Sequence, residues 1–340
     1  PRQRRRSMSR MSVYAYYAAQ EALAQAGYAQ APEGLGFFMG STLNSISVWL
    51  DVCTQCLGGH ADLVKTSSFL QIMNHSPQAV VGQALKINGP SFAGAAACAT
   101  GLFNIGLAVS AIQSGLTAQA LCGGTEEYHP MFSACFDIMQ ATSHRFNDQP
   151  ALSCRPFDAR RDGLVCSEGC GLLFLEREDL ALARGARILG EVVSFASNTE
   201  TENIANPSAQ TMRCCMQSAL DKAGLTAKDI DFVNAHATAT LAGDAAESAA
   251  IHQVFGSSVK VNSFKGHLGH TMGAAGALEL IACLHMMQDG VAPPTKNLQT
   301  PAPDCAPLAY VRQKENFKIR TLLKNSFAIG GNNCSLIVRR

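Results

Sequence analysis

An α/β protein built from two copies of one βα plan is what this 340-residue sequence predicts, with stacked, mostly parallel sheets and helices between and around them. Two internal echoes and the composition carry the expectation. The first echo pairs Gln20-Glu-Ala-Leu23-Ala-Gln-Ala26-Gly27 with Gln217-Ser-Ala-Leu220-Asp-Lys-Ala223-Gly224. Each reads as a helix end closed by a glycine C-cap. Each also precedes a short buried strand, Leu35-Gly-Phe-Phe-Met39 in one case and Asp231-Phe-Val-Asn-Ala235 in the other. The second echo pairs a strand, turn and helix around Cys98 with Val261-Asn-Ser-Phe-Lys265 and the small-residue helix from Gly273 to Met287. Apolar residues make up 47% and charged residues 16% of the chain, the balance of a heavily buried globular protein.

Along the chain, Asn88-Gly89-Pro90-Ser91 reads as a loop and Gly94-Ala-Ala-Ala-Cys98-Ala-Thr-Gly101 as a tight turn of tiny residues. Leu102 to Gln113 has apolar side chains at helical spacing and closes on Ser114-Gly115. Leu180 to Arg187 reads as a polar helix end joining the copies, so the halves are residues 1–186 and 187–340. In such a plan, reactive residues belong at strand ends and helix starts.

Composition excludes several functions. A net charge of +1, with Arg2-Gln-Arg4-Arg5-Arg6 as the only dense basic run, argues against nucleic-acid binding. Thirteen cysteines, an odd number scattered through apolar segments, fit a reducing cytoplasm rather than a disulfide framework. No apolar run reaches the ~18 residues of a membrane span, and the charged start lacks a signal-peptide core. Cys53, Cys56 and His60 lack the second ligand pair of a zinc site, and their apolar neighbours suggest a helical face; no metal is expected. Cys166 and Cys170 are expected in a strand, and Cys214-Cys215 in a helix.

Cys98 is the first reactive candidate. At the start of a helix, unpaired N–H groups and the positive dipole end favour a thiolate, and tiny neighbours let a substrate approach. A buried packing cysteine is the alternative. Two more junctions repeat the arrangement. Asn234-Ala-His236-Ala-Thr238-Ala-Thr240 ends a strand, with Asp244 and Glu247 following. Lys265-Gly-His267-Leu-Gly-His270 leads through a glycine-rich turn into a small-residue helix. One histidine at a strand end is ordinarily structural; two of them and a cysteine at equivalent junctions form a joint pattern. His267, inside its turn, is the weaker candidate.

These residues resemble the β-ketoacyl-acyl carrier protein synthases, the elongating ketosynthases, collinearly over nearly the whole chain. Five motifs carry the resemblance: Gly89-Pro-Ser with Ala97-Cys98-Ala-Thr; Arg155-Pro-Phe-Asp158-x-x-Arg161-Asp-Gly163 with Glu168-Gly169; Asn234-Ala-His236 to Glu247; Lys265 to Gly276; and Asn325-Ser-Phe-x-x-Gly330-Gly331-Asn-Asn333. The resemblance implies a thiolase-like, five-layered αβαβα fold of two duplicated halves with mixed and parallel sheets. It implies an acyltransferase that condenses malonyl carrier protein with an acyl group held on Cys98. His236 and His270 would stabilise the malonyl thioester oxyanion. Lys265, with Glu247, would hold the histidines in their working protonation state. The backbone N–H groups of Cys98 and Ile329 would form a second oxyanion hole, Phe327 and Ile329 a gate, and Thr238 and Thr240 the contacts to pantetheine amides. Substrates would arrive on the phosphopantetheine of an acyl carrier protein, with no further cofactor. That acidic partner would dock on Arg2, Arg4, Arg5, Arg6, Arg160 and Arg161; a solvated helix start, or structural ion pairs of the motif, are the alternatives. A homodimer, or a heterodimer with a related subunit, is implied, with the strand near Ala118-Gln-Ala-Leu-Cys122 pairing across the two-fold axis. A non-catalytic partner subunit of chain-length-factor type is the competing reading, and it would lack the cysteine.

Three departures stand out. The family's His-Gly-Thr-Ser-Thr is His236-Ala-Thr-Ala-Thr, adding a Cβ at residue 237. Ile329 stands where an elongating synthase has phenylalanine. Family chains begin with roughly sixty further residues, including a strand expected at the centre of the first sheet, so the sequence is expected to be part of a longer protein.

Overall fold

The computed structural model describes residues 5–201, 203–204 and 206–340. They fall into two compact units that do not coincide with consecutive halves of the chain. The first comprises residues 1–129, 168–188 and 272–278, the second 130–167, 189–271 and 279–340.

In the first unit, strands β1 (Gly36–Gly40), β2 (Ser91–Phe92), β3 (Gln119–Glu126) and β4 (Gly169–Glu176) form a sheet of order β2-β1-β3-β4. β1 is parallel to β2 and β3, and β4 is antiparallel to β3. The helix Arg10–Gln25 begins on Ser9, whose hydroxyl accepts the N–H of Ser12. Its buried Met11, Ala15, Ala19, Ala22 and Leu23 recur at helical spacing. Ala15, Ala19, Ala22 and Leu23 pack on Phe37, Met39 and Leu121 of the sheet.

The second unit holds β5 (Glu191–Thr199), β6 (Phe232–Asn234), β7 (Lys260–Asn262), β9 (Ala309–Tyr310), β11 (Thr321–Phe327) and β12 (Asn332–Arg339), in the order β5-β12-β11-β6-β7-β9. A separate antiparallel pair joins β8 (Val291–Ala292) to β10 (Glu315–Asn316). The helix Ala209–Ala223 is capped by Ser208 at its start and by Gly224 at φ 64° at its end. It buries Met212, Cys215, Met216, Ala219 and Leu220 against Val233, Leu323 and Ile337.

The duplication is visible strand by strand. β7-β6-β11-β12 repeats β2-β1-β3-β4, with the same two parallel steps and one antiparallel step. The equivalence extends to single torsions. Ala97, before Cys98, has φ 45°, and Met272, before Gly273, has φ 46°; each opens a 3₁₀ turn, Ala97–Ala99 and Met272–Ala274, leading into a long helix. Gly273 thus stands where the first copy has its cysteine.

Several expectations are corrected. β1 pairs directly with β3, so the first sheet has no vacated central position; its counterpart carries the extra strand, β5, at an edge beside β12. β3 has both neighbours within its own sheet, so it cannot be the strand that pairs across a two-fold axis. Its sheet ends instead at β2 and β4. Cys170 lies in β4 as expected, but Cys166 makes only an isolated bridge, to His270. Cys53 and Cys56 lie on the helix Ile46–Leu57, and Cys214 and Cys215 on Ala209–Ala223.

Candidate active site

The cysteine junction lies in the first unit. Cys98 is 4% exposed, in the 3₁₀ turn immediately before the helix Thr100–Gln113 rather than in that helix's first turn. The loop ahead of it is tied to the helix that follows. The N–H of Ala96 donates to Thr100 Oγ1 at 2.9 Å, and the Asn104 amide spans both backbone groups of Gly94, at 3.1 and 2.9 Å. Thr42 Oγ1 donates to the carbonyl of Ala97 at 3.3 Å. Thr42 is itself held: Glu126 Oε2 accepts its N–H at 2.8 Å and that of Gly273 at 3.0 Å. Burial pushes the Glu126 carboxyl up to about 7, and its Oε1 has no partner among the described residues.

The histidine junctions lie in the second unit, where their rings meet edge to face with centroids 5.2 Å apart. His236 follows β6. Its N–H and that of Ala237 donate to Glu247 Oε1 and Oε2 at 2.8 and 2.6 Å. His270 is pinned through its backbone by the segment 165–167: its N–H donates to Val165 O at 2.7 Å, and Ser167 N donates to its carbonyl at 2.9 Å. This gives the Arg155-to-Gly169 motif a structural job in seating His270. Both ring nitrogens of His270 are buried without a hydrogen-bond partner among the described residues.

Behind the rings sits a buried cluster. Lys265 Nζ contacts His236 Nδ1 at 3.4 Å and Glu279 Oε1 at 2.6 Å, and Lys324 Nζ donates to Glu279 Oε2 at 2.5 Å. Glu279, not Glu247, is therefore the carboxylate partner of Lys265. Glu279 and Lys324 escaped the sequence reading because neither lies at a strand-to-helix junction. Against the upward pull of burial, Lys265 and Lys324 hold Glu279 below the usual glutamate range. Burial, then the charges of Lys265 and Lys324, keep both imidazoles well below the ordinary histidine value, so they stand neutral at physiological pH. An ammonium only donates. His236 Nδ1 must then accept from Lys265, leaving the ring proton on Nε2.

The remaining candidates divide. Thr238 is buried and Thr240 half-buried, their hydroxyls 3.1 Å apart. Phe327 ends β11 inside the core of the second unit, whereas Ile329 is 42% exposed between β11 and β12. Arg5, Arg6 and Arg160 are exposed; Arg2 and Arg4 lie outside the described residues. Arg161 is 2% exposed and paired with Asp304, so it cannot present its charge to a docking partner, and that assignment is corrected. Arg155 is likewise buried, paired with Asp158 at 3.0 Å. His267 is exposed, 2.8 Å from Pro294 O.

Two family models match the chain. The family described as "Beta-ketoacyl synthase, N-terminal domain" matches residues 1–181, and "Beta-ketoacyl synthase, C-terminal domain" matches residues 189–299. The chain belongs to the β-ketoacyl synthase family. This β-ketoacyl synthase is 34% identical to Nodulation protein E of Rhizobium meliloti over 98% of its own length and 83% of the relative's. It is 33% identical to 3-oxoacyl-[acyl-carrier-protein] synthase 1 of Escherichia coli K12 over the same shares, 98% and 83%. The crystal structure of a β-ketoacyl synthase from Burkholderia phymatum STM815 superposes with a TM-score of 0.97 at 40% identity, covering 100% of this chain and 84% of that one. Two further structures match at TM-scores of 0.91 and 0.89. The first, the ishigamide ketosynthase/chain length factor, is 32% identical over 98% of this chain and 83% of its own. The second, a type II polyketide ketosynthase in complex with its acyl-carrier protein, is 28% identical over 98% and 85%. The fold is the thiolase-like α/β fold of ketosynthases.

Proposed function

We propose that this β-ketoacyl-acyl carrier protein synthase uses Cys98 as the acyl-carrying nucleophile and His236 and His270 as oxyanion donors, in fatty acid or type II polyketide elongation. Thiolate is the soft nucleophile that thioester exchange needs. Cys98 attacks the acyl thioester of a carrier protein, its C–S bond forming as the pantetheine thiol leaves. Malonyl carrier protein then loses CO₂, and the carbon left with the electron pair attacks the acyl-Cys98 carbonyl. The C–S bond to Cys98 breaks, the thiolate returns, and a β-ketoacyl thioester departs on the carrier.

The observation that carries the assignment is the pair of buried, neutral imidazoles, one with its proton directed to Nε2 by Lys265. Neutral N–H donors held in a buried site stabilise charge as it develops on the malonyl thioester oxygen, about 2.7–4 kcal/mol for one such donor. In the same reading the N–H groups of Cys98 and Ile329 hold the acyl carbonyl oxygen, Phe327 and Ile329 gate the pocket, and Thr238 and Thr240 bind the pantetheine amides. Exposed Arg5, Arg6 and Arg160 receive the acidic carrier protein. No cofactor beyond the carrier's phosphopantetheine enters the reaction. A dimer accounts for the apolar surface left by the first unit, where Trp49, Leu57 and Phe69 are 47%, 89% and 57% exposed. We place the enzyme in the cytoplasm, consistent with thirteen cysteines outside any disulfide. Among the described residues no helix is long and apolar enough to cross a membrane.

The test is intact-protein and peptide mass spectrometry after incubation with an acyl carrier protein substrate. An acyl adduct on the Cys98 peptide, and β-ketoacyl product when malonyl carrier protein is added, are expected. Condensation that persists in Cys98→Ala overturns the assignment; an inert Cys98 in the native protein favours the non-catalytic partner reading.

A further inference from the structure

Arg161 is a large cation sealed inside the second unit, and its contacts converge on one short segment. Nη2 donates to Leu241 O at 2.9 Å and Nε to Thr240 O at 3.4 Å. The guanidinium is held in turn by Asp304, with Nη1 on Oδ1 at 3.1 Å and Nη2 on Oδ2 at 2.6 Å. Asp244 lies 3.8 Å from Nε and accepts the N–H groups of Ala239 at 3.1 Å and Phe157 at 2.7 Å. Gly163, two residues beyond Arg161, donates its N–H to Ala239 O at 2.9 Å.

The segment so gripped is strained. Ala239 has φ 69°, a left-handed conformation costing a residue with a Cβ roughly 1–2 kcal/mol. Its flanking hydroxyls, Thr238 Oγ1 and Thr240 Oγ1, face each other at 3.1 Å. In an extended strand alternate side chains share a face about 7 Å apart; here the chain turns at Ala239 instead, and the two hydroxyls stand 3.1 Å from each other. Asp244 holds the N–H of Ala239 and Gly163 its carbonyl, Arg161 grips the next two carbonyls, and Cys154 Sγ lies 4.0 Å from Thr238 O on the other side.

We propose that Arg161, braced by Asp304 and Asp244, is a positioning residue for pantetheine recognition: it locks the 238–241 segment so that Thr238 and Thr240 present their hydroxyls together. The inference rests on the reading that these threonines bind the pantetheine arm. It separates Arg161 from its exposed neighbour Arg160. A docking residue acts on the carrier protein's surface; a residue that shapes the arm's seat acts on any substrate that carries the arm.

The experiment compares malonyl carrier protein with malonyl-pantetheine, which lacks the carrier, in steady-state condensation on acyl-Cys98 enzyme. Arg161→Lys keeps the charge but loses the fork. It should raise KM for both substrates about tenfold or more, the scale of a displaced contact remote from the chemistry, while kcat and the fraction of enzyme labelled at Cys98 stay near the native values. Arg160→Ala should raise KM for the carrier-bound substrate alone. Asp304→Asn, on a half-exposed side chain, loosens the same fork at the surface and should reproduce the Arg161→Lys pattern more weakly; it decides the matter if Arg161→Lys does not fold. An unchanged KM for malonyl-pantetheine in both variants overturns the proposal, as does a fall in kcat and labelled fraction with no change in KM. Thr238→Ala and Thr240→Ala separate the two levels. If neither raises KM for malonyl-pantetheine, the parent reading has failed; if they do and Arg161→Lys and Asp304→Asn do not, only the role of Arg161 has.

Discussion

Lys265 acts on His236 through one nitrogen, and the consequences are measurable. With both imidazoles held neutral by burial and by two nearby ammonium groups, kcat/KM should show no histidine-like loss until the pH falls well below 6.5. The same shift acts on stability. Below 6.5 the unfolded histidines take up protons that the folded ones refuse, so stability falls as pH drops through that region. Lys265→Met should move the acid limb of the pH-rate profile upward, because it removes a positive charge that opposes protonation of both rings. His270→Ala should slow CO₂ release more than acyl transfer to Cys98; equal retention of both steps would remove His270 from its assigned role. Glu126 behaves oppositely. Its carboxyl rises from 4.5 in the unfolded chain to about 7 when folded, so the folded protein holds the extra proton and loses stability as pH climbs between those values. Glu126→Gln should flatten this loss, visible as a smaller gap between urea midpoints at pH 5 and pH 8, values taken from about the two ends of that window.

The strand-to-helix junctions show what was legible in the sequence and what was not. Glycine caps, small-residue turns and helical spacing were enough to single out the segments that carry Cys98, His236, Lys265 and His270, because each of these signals is local. Glu279 and Lys324 were invisible, since a mid-helix glutamate and a strand lysine carry no local mark; only packing brings them together. Arg161 was misread for a related reason. A charged residue in a loop motif looks solvated, and its burial depends on Asp304, more than a hundred residues away along the chain. Close packing of the threonine segment also yields a prediction. A Cβ at Gly243 would lie 2.5 Å from Thr240 Oγ1, so Gly243→Ala should displace that hydroxyl. It should raise KM for malonyl-pantetheine with about 1–3 kcal/mol lost in thermal unfolding.

In the proposed reaction the thiol belongs to one unit and the imidazole pair to the other, and the two units repeat the same strand pairing. Substrate delivery by an acidic partner should then be salt-sensitive where the chemistry is not. Between ~50 and ~300 mM salt, kcat/KM with malonyl carrier protein should fall as exposed arginines are screened. The value with malonyl-pantetheine should hold. Equal salt dependence for both substrates would place the effect inside the protein rather than at its docking face.

The mirrored turn carries a last implication. A Cβ at residue 273 would sit 2.8 Å from Thr42 N and 2.9 Å from Glu126 Oε2, the very groups that brace the turn before Cys98. Anyone hoping to install a twin sulfhydryl at the matching spot of the other repeat would evict the strut that supports the first. At this turn the asymmetry of the two repeats is enforced by lack of room.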